Sequence, residues 1–251
     1  MRSRRVRGQV LVLAALTISL AILSTQAYIY RRSRTEASAD WSALSDYVLS
    51  IEQGSRHVVV ASLINISQGG AASNLGGNLD RWENFVSGDY QFGRCDLNAT
   101  PASQPPYSGG VWLDWRTDGR GVSSAFADFT LNISGRGAEV DWSFTQNITT
   151  TAVISGSYTR GLGNIKQVTV LLNLLNEGAP TLAGRVTLAY LSGGTWRDPA
   201  ELGSYSRQDF GNGTYRYSFT DAIPGNQVQV RVQVYDRRGI YVQAEASLSE
   251  G

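Results

Sequence analysis

The stretch Gln227–Ala246 reads QVQVRVQVYDRRGIYVQAEA, and it determines the fold class more clearly than any other part of the chain. Valines alternate with polar residues through Tyr235, the segment Asp236–Gly239 has the composition of a turn, and the alternation then resumes from Ile240. A period of two places all the valines on one face of a strand, so the stretch predicts a β-hairpin with one buried face. The end of the chain is therefore expected to be β-sheet.

Further strands are predicted upstream of this hairpin, at intervals separated by turns that contain Gly and Asn. They cover Gln167–Leu175, Arg185–Leu191 and Thr214–Thr220. Short strands at this spacing are typical of a β-sandwich. The architecture resembles an immunoglobulin-like or fibronectin-like domain, without the Cys and Trp pattern of antibody domains. Residues 161–251 are predicted to form this sandwich, with a domain boundary in the Gly- and Ser-rich stretch Ser155–Gly163.

A second β-rich region is predicted over residues 79–160. Val111–Trp115, the turn signal Thr117–Gly119 and the alternation of apolar residues from Ala125 to Leu131 indicate a hairpin, which Val140–Phe144 continues. Residues 35–78 show apolar residues every three or four positions and predict an amphipathic helix that ends in the Gly-, Ala- and Ser-rich stretch Gln68–Asn78.

The N-terminal residues 1–34 indicate a leader and a transmembrane helix. Four arginines precede an uncharged run from Val10 to Tyr30, and three more follow it. As a helix, these 21 residues would be roughly 30 Å long, which matches the thickness of the hydrocarbon core of a bilayer. The predicted fold class is thus mainly β, with an N-terminal transmembrane helix and its amphipathic extension, a β-rich region, and a C-terminal immunoglobulin-like β-sandwich.

The balance of charge bears on partners. Seven arginines precede Thr35, whereas residues 35–251 carry a net charge of −6. A mildly acidic body lacks the clustered positive surface that nucleic-acid binding requires, so no nucleic-acid partner is expected. The single cysteine, Cys95, excludes an intramolecular disulfide and is expected to pack as a small buried hydrophobe.

Five N-x-[ST] sequons follow the apolar run, at Asn65, Asn98, Asn132, Asn147 and Asn212. Pro101 lies just beyond the sequon at Asn98, so possible glycosylation is assigned to Asn65, Asn132, Asn147 and Asn212. Because all of them lie on one side of the predicted span, the C-terminal region is expected to be extracellular, in a single-pass protein of the cell membrane.

The stretch RGQV, Arg7–Val10, resembles the processing site of class III signal peptides on archaeal type IV pilins. The resemblance covers only the N-terminal segment, and it lacks the acidic residue that many bacterial pilins carry near the start of the helix. It implies cleavage between Gly8 and Gln9, which leaves the apolar helix available for packing into a filament. Two other fates remain open, which are secretory cleavage after Ala27 and no cleavage at all.

No constellation of residues predicts catalysis. His57 is the only histidine, which leaves neither a zinc site nor a Ser-His-Asp triad to assemble. Asp114 and Asp118 are four residues apart in a manner that suits a β-turn, and the Gly-rich loops Gly161–Asn164 and Ser134–Gly137 are not followed by a helix. Trp112, Trp142 and Trp196 could stack on glycans or lie in the core. We therefore expect no enzyme, no catalytic residue, no cofactor and no metal.

Two functional hypotheses follow from these observations. The first is a membrane-anchored extracellular protein with a structural or adhesive role, resembling a minor pilin-like subunit whose partners would be the membrane and other pilin-like subunits or envelope proteins. The second is a single-pass cell-surface binding module that does not polymerise. A surface hydrolase using carboxylates is disfavoured, because no set of residues supports it.

Overall fold

A computed structural model describes residues 3–90, 93–135 and 138–251, and within these ranges the side chains of all residues except 3–21, 30–41, 89 and 138. The described chain is mainly β, as the alternating patterns predict. It divides into two compact units, Met1–Ile51 and Glu52–Gly251. Two α-helices precede the strands, α1 at Ser3–Ser67 and α2 at Asn74–Val86.

Thirteen strands follow in the described part of the chain, and one 3-10 turn lies among them at Pro199–Glu201. They are β1 Gly88–Tyr90, β2 Gly93–Pro101, β3 Val111–Trp115, β4 Arg120–Gly135, β5 Ala138–Arg160, β6 Ile165–Asn176, β7 Ala179–Pro180, β8 Ala183–Ser192, β9 Thr195–Arg197, β10 Ser206–Asp209, β11 Thr214–Ala222, β12 Val228–Asp236 and β13 Tyr241–Glu250.

Helix α1 contains the sequence predicted to cross a membrane, Val10–Tyr30. Most of that segment lies outside the residues whose side chains the structure describes. Among the described residues, no helix is both long enough and apolar enough to span a bilayer. The membrane helix stays a prediction.

The last turns of α1 belong to the second unit. Ser55, Val59, Ser62, Leu63 and Ile66 are buried there, at the spacing of three and four residues that marks one face of a helix. The helix ends at Ser67, where the sequence turns to Gly and Ser, and Gly69 follows with a left-handed φ of 102°. The helix therefore ends one residue before the stretch Gln68–Asn78, in which the sequence predicts its end.

Helix α2 spans the predicted boundary between the amphipathic helix, residues 35–78, and the β-rich region, residues 79–160. Leu75 and Leu79 are buried on one face of it, together with Val86. Trp82 is half-buried on the same face, whereas Phe85 is 80% exposed and stacks on the Trp82 ring at 5.5 Å. Phe85 lies off the face that Leu75 and Leu79 define, and it therefore does not anchor the helix.

The first β layer contains the hairpins predicted before residue 160. β4 lies between β5 on one edge and β2 and β3 on the other. Val111 of β3 pairs with Ala125 of β4, as the predicted hairpin requires. Alternate residues of β2 and β4 are buried on one face, including Cys95, which behaves as the expected small hydrophobe. The Gly-rich loop Ser134–Gly137 ends in two residues, 136 and 137, that lie outside the described part of the chain.

Strand β5 takes part in two layers. Its residues 138–153 pair with β4, and its residues 150–160 pair with β6. The sequence predicts a domain boundary at Ser155–Gly163, yet the strand continues through Arg160. Gly156 explains the composition of this stretch, because a Cβ atom there would lie 2.2 Å from the carbonyl oxygen of Thr169 on β6. The close approach of β5 and β6 requires glycine at this position, and the sheet continues through it. The glycine therefore does not mark a domain boundary.

The C-terminal region is a sandwich of two packed sheets. One sheet has the order β5-β6-β11-β10 and the other has the order β13-β12-β8-β9. A short parallel pairing of Ser249–Glu250 with Ser157–Tyr158 joins them. The shared core contains inward-facing residues of both sheets, such as Val170 of β6, Tyr217 of β11 and Val232 of β12. All five strands predicted after residue 161 are present, and β7, β9 and β10 are additional.

Candidate binding face

The residues predicted for processing and glycosylation differ in how far the structure describes them. Gly8 and Gln9 lie in α1, but their side chains are outside the described set. Asn65 at the end of α1 and Asn212 in the turn before β11 are both exposed. Asn132 of β4 and Asn147 of β5 are exposed on the outer face of the first β layer, and Asn98 of β2 lies on the same face. All five sequons are accessible, and their occupancy stays a prediction.

The aspartates considered for catalysis take part in local contacts. The carboxylate of Asp114 pairs with the guanidinium of Arg116 at 2.7 Å. Asp118 Oδ1 accepts a hydrogen bond from the backbone N–H of Arg120 at 3.1 Å, which is the geometry of an Asx turn. His57 is exposed on α1, and Gly161–Asn164 joins β5 to β6 without a following helix. Among the described residues, no group of three His, Cys, Asp or Glu side chains lies close enough together to hold a metal ion.

Each of the three tryptophans considered for glycan stacking is half-buried. Trp112 meets Tyr107 edge-on at 6.2 Å, and Trp142 lies 4.8 Å from Phe144. Trp196 of β9 differs from them, because the guanidinium of Arg231 lies over its ring at 4.1 Å. Of the three, Trp196 therefore lies beside the polar surface of the second sheet of the sandwich.

The outer surface of that sheet is formed by the polar half of the alternating hairpin. Because the valines of β12 face the core, the residues between them face outward and pair in register with outward residues of β13. We name this surface the aromatic–amide face. It consists of Arg231, Gln233, Tyr235, Tyr241, Gln243 and Glu245, together with Trp196 and Trp115 at its edges.

Hydrogen bonds hold the side chains of the face in order. Gln233 Nε2 donates to the Tyr241 hydroxyl at 2.9 Å and to Gln243 Oε1 at 3.1 Å, and the Tyr241 hydroxyl donates to Gln243 Oε1 at 2.8 Å. Arg231 Nε donates to Glu245 Oε1 at 2.6 Å. Burial raises the pKa of the Tyr241 phenol, so this group is protonated at neutral pH and can act as the donor.

A pocket of about 380 Å³ opens at one end of the aromatic–amide face. Its lining combines Trp115 of β3, Arg185 and Thr187 of β8, Gln233 and Tyr235 of β12, Tyr241 of β13, and Ser67, Gln68 and Gly69 at the end of α1. The lining thus contains three aromatic residues, several hydroxyl or amide groups and one arginine, with no carboxylate. We refer to this feature as the α1–β3 pocket.

Two contacts fix the end of α1 at the pocket. Ser67 Oγ accepts a hydrogen bond from the backbone N–H of Tyr241 at 3.1 Å. Gln68 Nε2 donates to the carbonyl oxygen of Gly239 at 3.0 Å, in the turn between β12 and β13. The helix end is therefore tied to the hairpin that supplies Tyr241, which makes the pocket a built feature of the second unit.

A larger cavity of about 510 Å³ lies among the loops around β7 and the turn before β11. Leucine and proline side chains, including Leu174, Pro180 and Leu182, form much of its wall. Its exposed lining is mostly apolar, whereas that of the α1–β3 pocket is about half polar. The α1–β3 pocket is therefore the better candidate for specific recognition, which depends on a few well-placed polar groups.

No protein-family model and no curated protein sequence matches this chain. The assignment of the candidate site is therefore based on its geometry alone.

Sequence reasoning found part of this site. The alternation in Gln227–Ala246 predicts that Gln233, Tyr235 and Tyr241 lie on the exposed face of a hairpin. It could not place Trp115 or Gln68 beside them, because those residues come from distant parts of the chain. One feature of Trp115 is visible in the sequence: it is the last residue of a predicted strand and lies directly before a turn. A side chain at a strand end can contact residues outside its own sheet.

Proposed function

We propose that this protein is a membrane-anchored extracellular surface protein with a structural or adhesive role, and more specifically a minor pilin-like subunit. In this proposal the residues Val10–Tyr30 cross the membrane, and the β-rich unit is displayed outside the cell. Its partners are the membrane and other pilin-like subunits or envelope proteins. The sequons at Asn65, Asn132, Asn147 and Asn212 are then positioned on the side of the membrane where glycans are carried.

One observation supports this proposal above the others. A single helix, α1, contains the uncharged run of the N-terminal segment, and its last turns pack into the β-rich unit. Trp82 Nε1 of α2 donates to Ser55 Oγ at 2.9 Å, and Asn78 Nδ2 donates to Ser62 Oγ at 2.9 Å. A hydrophobic helix whose outer part is built into a β-rich head is the layout that the resemblance to type IV pilins implies.

The arrangement of the sandwich supports a displayed recognition domain. Taking the second half of β5 as strand A, the two sheets have the orders A-B-E-D and G-F-C-C′. These are the orders of immunoglobulin-type sandwiches, which are used widely in cell-surface proteins. We therefore propose that the immunoglobulin-like domain predicted at residues 161–251 begins further upstream, with residues 150–160 of β5 as its first strand. The architecture alone does not determine what it binds.

A second candidate function is a single-pass binding module that does not polymerise. The α1–β3 pocket favours this candidate, because it is lined by aromatic and polar groups that suit ligand recognition. Both candidates share the display of the β-rich unit at the cell surface. They differ in the fate of the N-terminal helix.

The N-terminus of the mature protein tests the proposal. Intact-mass and N-terminal peptide analysis of protein from native membranes and medium is expected to find a start at Gln9. Replacement of the residue before the cut, Gly8→Val, should abolish processing, whereas Ser3→Val outside the motif should not. A start at Met1 would instead support the uncleaved single-pass module, and a start at Tyr28 would indicate a released protein and contradict membrane anchoring.

A further inference from the structure

We propose that the α1–β3 pocket binds a saccharide that carries a carboxylate, such as a uronic acid residue of a surface glycan. The inference deepens the adhesive role and rests on the proposed function for its biological setting. The argument for it depends only on the described residues of the second unit. It has three parts, which concern the aromatic walls, the polar groups and the charge.

The aromatic walls suit the apolar face of a sugar ring. The rings of Trp115 and Tyr241 lie 5.1 Å apart at an interplanar angle of 85°, and Tyr235 lies 5.2 Å from Tyr241. Trp115 is 36% exposed although its Nε1 donates to Ser123 Oγ at 3.1 Å, so its position is fixed while part of its ring meets solvent. The negative face of such a ring attracts the polarised C–H groups on the flat side of a pyranose.

Several polar groups of the pocket are left open for a ligand. Within the part of the chain that the structure describes, the side chains of Arg185 and Thr187 make no hydrogen bond and no ion pair. Gln233 uses its Nε2 atom for Tyr241 and Gln243, and its Oε1 atom accepts no hydrogen bond from those described residues. One cation, one hydroxyl and one amide oxygen are thus available around the aromatic walls. Sugar hydroxyls both donate and accept, so they can pair with all three.

The charge of the pocket selects an acidic sugar over a neutral one. No Asp or Glu lines it, and Glu245 of the aromatic–amide face is already bonded to Arg231 at 2.6 Å. The guanidinium of Arg185 is therefore the charge that a ligand would meet. Its planar donors match the two oxygens of a carboxylate, and such charge-assisted bonds are stronger than those between neutral groups.

The size of the pocket favours a small ligand. A volume of about 380 Å³ lies within the range of sites for small molecules. A stable protein partner would instead need a contact area of roughly 800 Å² on each side. A sugar unit at the end or in a branch of a glycan fits the observed feature better than a protein surface does.

Binding to the purified full-length chain in detergent micelles tests the proposal. The probes are disaccharides in matched pairs, in which a glucuronic or galacturonic acid member is compared with its glucose or galactose counterpart by isothermal calorimetry. We expect at least one pair in which the acidic member binds roughly tenfold to a hundredfold more tightly, which is the range for one charge-assisted interaction. No binding of any member at millimolar concentration, or equal binding within every pair, would overturn the proposal.

Variants locate the site and keep the test independent of folding. Arg185→Gln removes an exposed side chain that has no partner in the described chain, so the fold should persist and the preference for the acidic member should fall to near unity. Arg216→Gln, which changes an exposed arginine on β11 in the other sheet, serves as the control and should bind like the original chain. Trp115→Ala should weaken the binding of both members of a pair. An unchanged preference in Arg185→Gln would also overturn the proposal.

The result of the saccharide-binding test can be distinguished from the result of the N-terminus test of the proposed function. The mature N-terminus is determined on native protein and does not depend on any ligand. Saccharide binding is measured on the purified chain and does not depend on processing. Loss of the glycan preference with a start at Gln9 would leave a pilin-like subunit without this ligand, whereas glycan binding with a start at Met1 would support the non-polymerising binding module.

Discussion

At the scale of single residues, the carboxylate of Asp236 connects several parts of the sandwich through hydrogen bonds. Its side chain is fully buried and accepts hydrogen bonds from Arg238 Nε at 2.7 Å, from Thr150 Oγ1 at 3.1 Å and from the backbone N–H of Ile240 at 2.9 Å. Arg238 in turn donates to Glu177 at 2.6 Å. The turn that the sequence predicts from Asp236–Gly239 is thus also a link from the hairpin to β5.

Asp236→Ala should lower the free energy of unfolding by about 3–5 kcal/mol, because it breaks a buried ion pair and also removes the acceptor of Thr150 Oγ1 and of the buried Ile240 N–H. Asp96→Ala is the matched control, since Asp96 pairs with Arg94 at 2.9 Å while both side chains are at least half exposed. Exposed pairs contribute under about 1 kcal/mol. Urea unfolding of both variants measures the difference, and equal losses in the two would contradict the assigned role.

The hydroxyl of Tyr217 shows the opposite situation. It is buried, and it has no hydrogen-bond partner within the described chain. Tyr190 is also buried, but its hydroxyl donates to Asp221 Oδ2 at 2.7 Å. Burial raises the pKa of both phenols, that of Tyr190 to about 12, so both are protonated at pH 7.

This contrast predicts that the same substitution, Tyr to Phe, affects stability differently at the two positions. A buried hydroxyl without a partner costs about 1–3 kcal/mol, so Tyr217→Phe should leave stability unchanged or raise it by about 1 kcal/mol. Tyr190→Phe should lower it by about 1 kcal/mol, because a hydrogen bond to a carboxylate is lost. Thermal unfolding at pH 7 compares the two. A loss in Tyr217→Phe as large as that in Tyr190→Phe would mean that the Tyr217 hydroxyl is bonded after all.

At the scale of elements, the packing of α2 on the end of α1 depends on a glycine. A Cβ atom at Gly54 would lie 2.4 Å from two atoms of the Trp82 ring, so the ring can pack directly on the helix backbone there. The same ring position lets Trp82 Nε1 reach Ser55 Oγ at 2.9 Å. The sequence shows Gly54 only as a weak point in a helical pattern, and its packing role becomes visible in the structure.

Gly54→Ala should therefore destabilise the protein by about 1–3 kcal/mol, the usual cost of overpacking, although alanine is the better helix former. Gly77→Ala in α2 is the control, because a Cβ atom there would meet nothing within 4 Å. Without a clash, the same change should stabilise by about 0.5–1 kcal/mol through helix propensity. Chemical denaturation gives both values, and a stabilising Gly54→Ala would show that Trp82 can move away at little cost.

The elements that could be predicted are those with a strong local pattern. The β12–β13 hairpin was predictable because the alternation and the turn lie next to each other in sequence. The sequence does not predict strand β2, because its alternation of Cys95, Leu97 and Ala99 is short, is interrupted by Asn98 and ends at Pro101, both of which are residues typical of turns. Helix α2 was hidden by Gly76 and Gly77, whose low helix propensity is outweighed by the burial of Leu75 and Leu79.

At the scale of the whole molecule, strand pairing determines where a domain begins and ends, and local composition predicts it less well. Ser155–Gly163 has the glycine and serine content of a linker, whereas the structure extends β5 through Arg160 because its glycine permits a close approach of β6. The α1–β3 pocket was likewise only half predictable. Tyr241 and Gln233 follow from one hairpin, but Trp115, Arg185 and the end of α1 reach the pocket through long-range pairing that one sequence does not encode in any local pattern.

The two candidate functions make different demands on the N-terminal helix, and this difference can be tested in the producing cell. A polymerising subunit needs the particular side chains of Val10–Tyr30 for packing between helices, whereas an anchor needs only their length and apolarity. We expect that replacing this segment with an unrelated apolar helix of equal length, with Gly8 and Gln9 kept, preserves surface display but abolishes incorporation into filaments. Surface labelling and electron microscopy measure the two properties separately. Filaments that still incorporate the variant would contradict helix-specific packing, and display without any filaments in the original chain would favour the single-pass binding module.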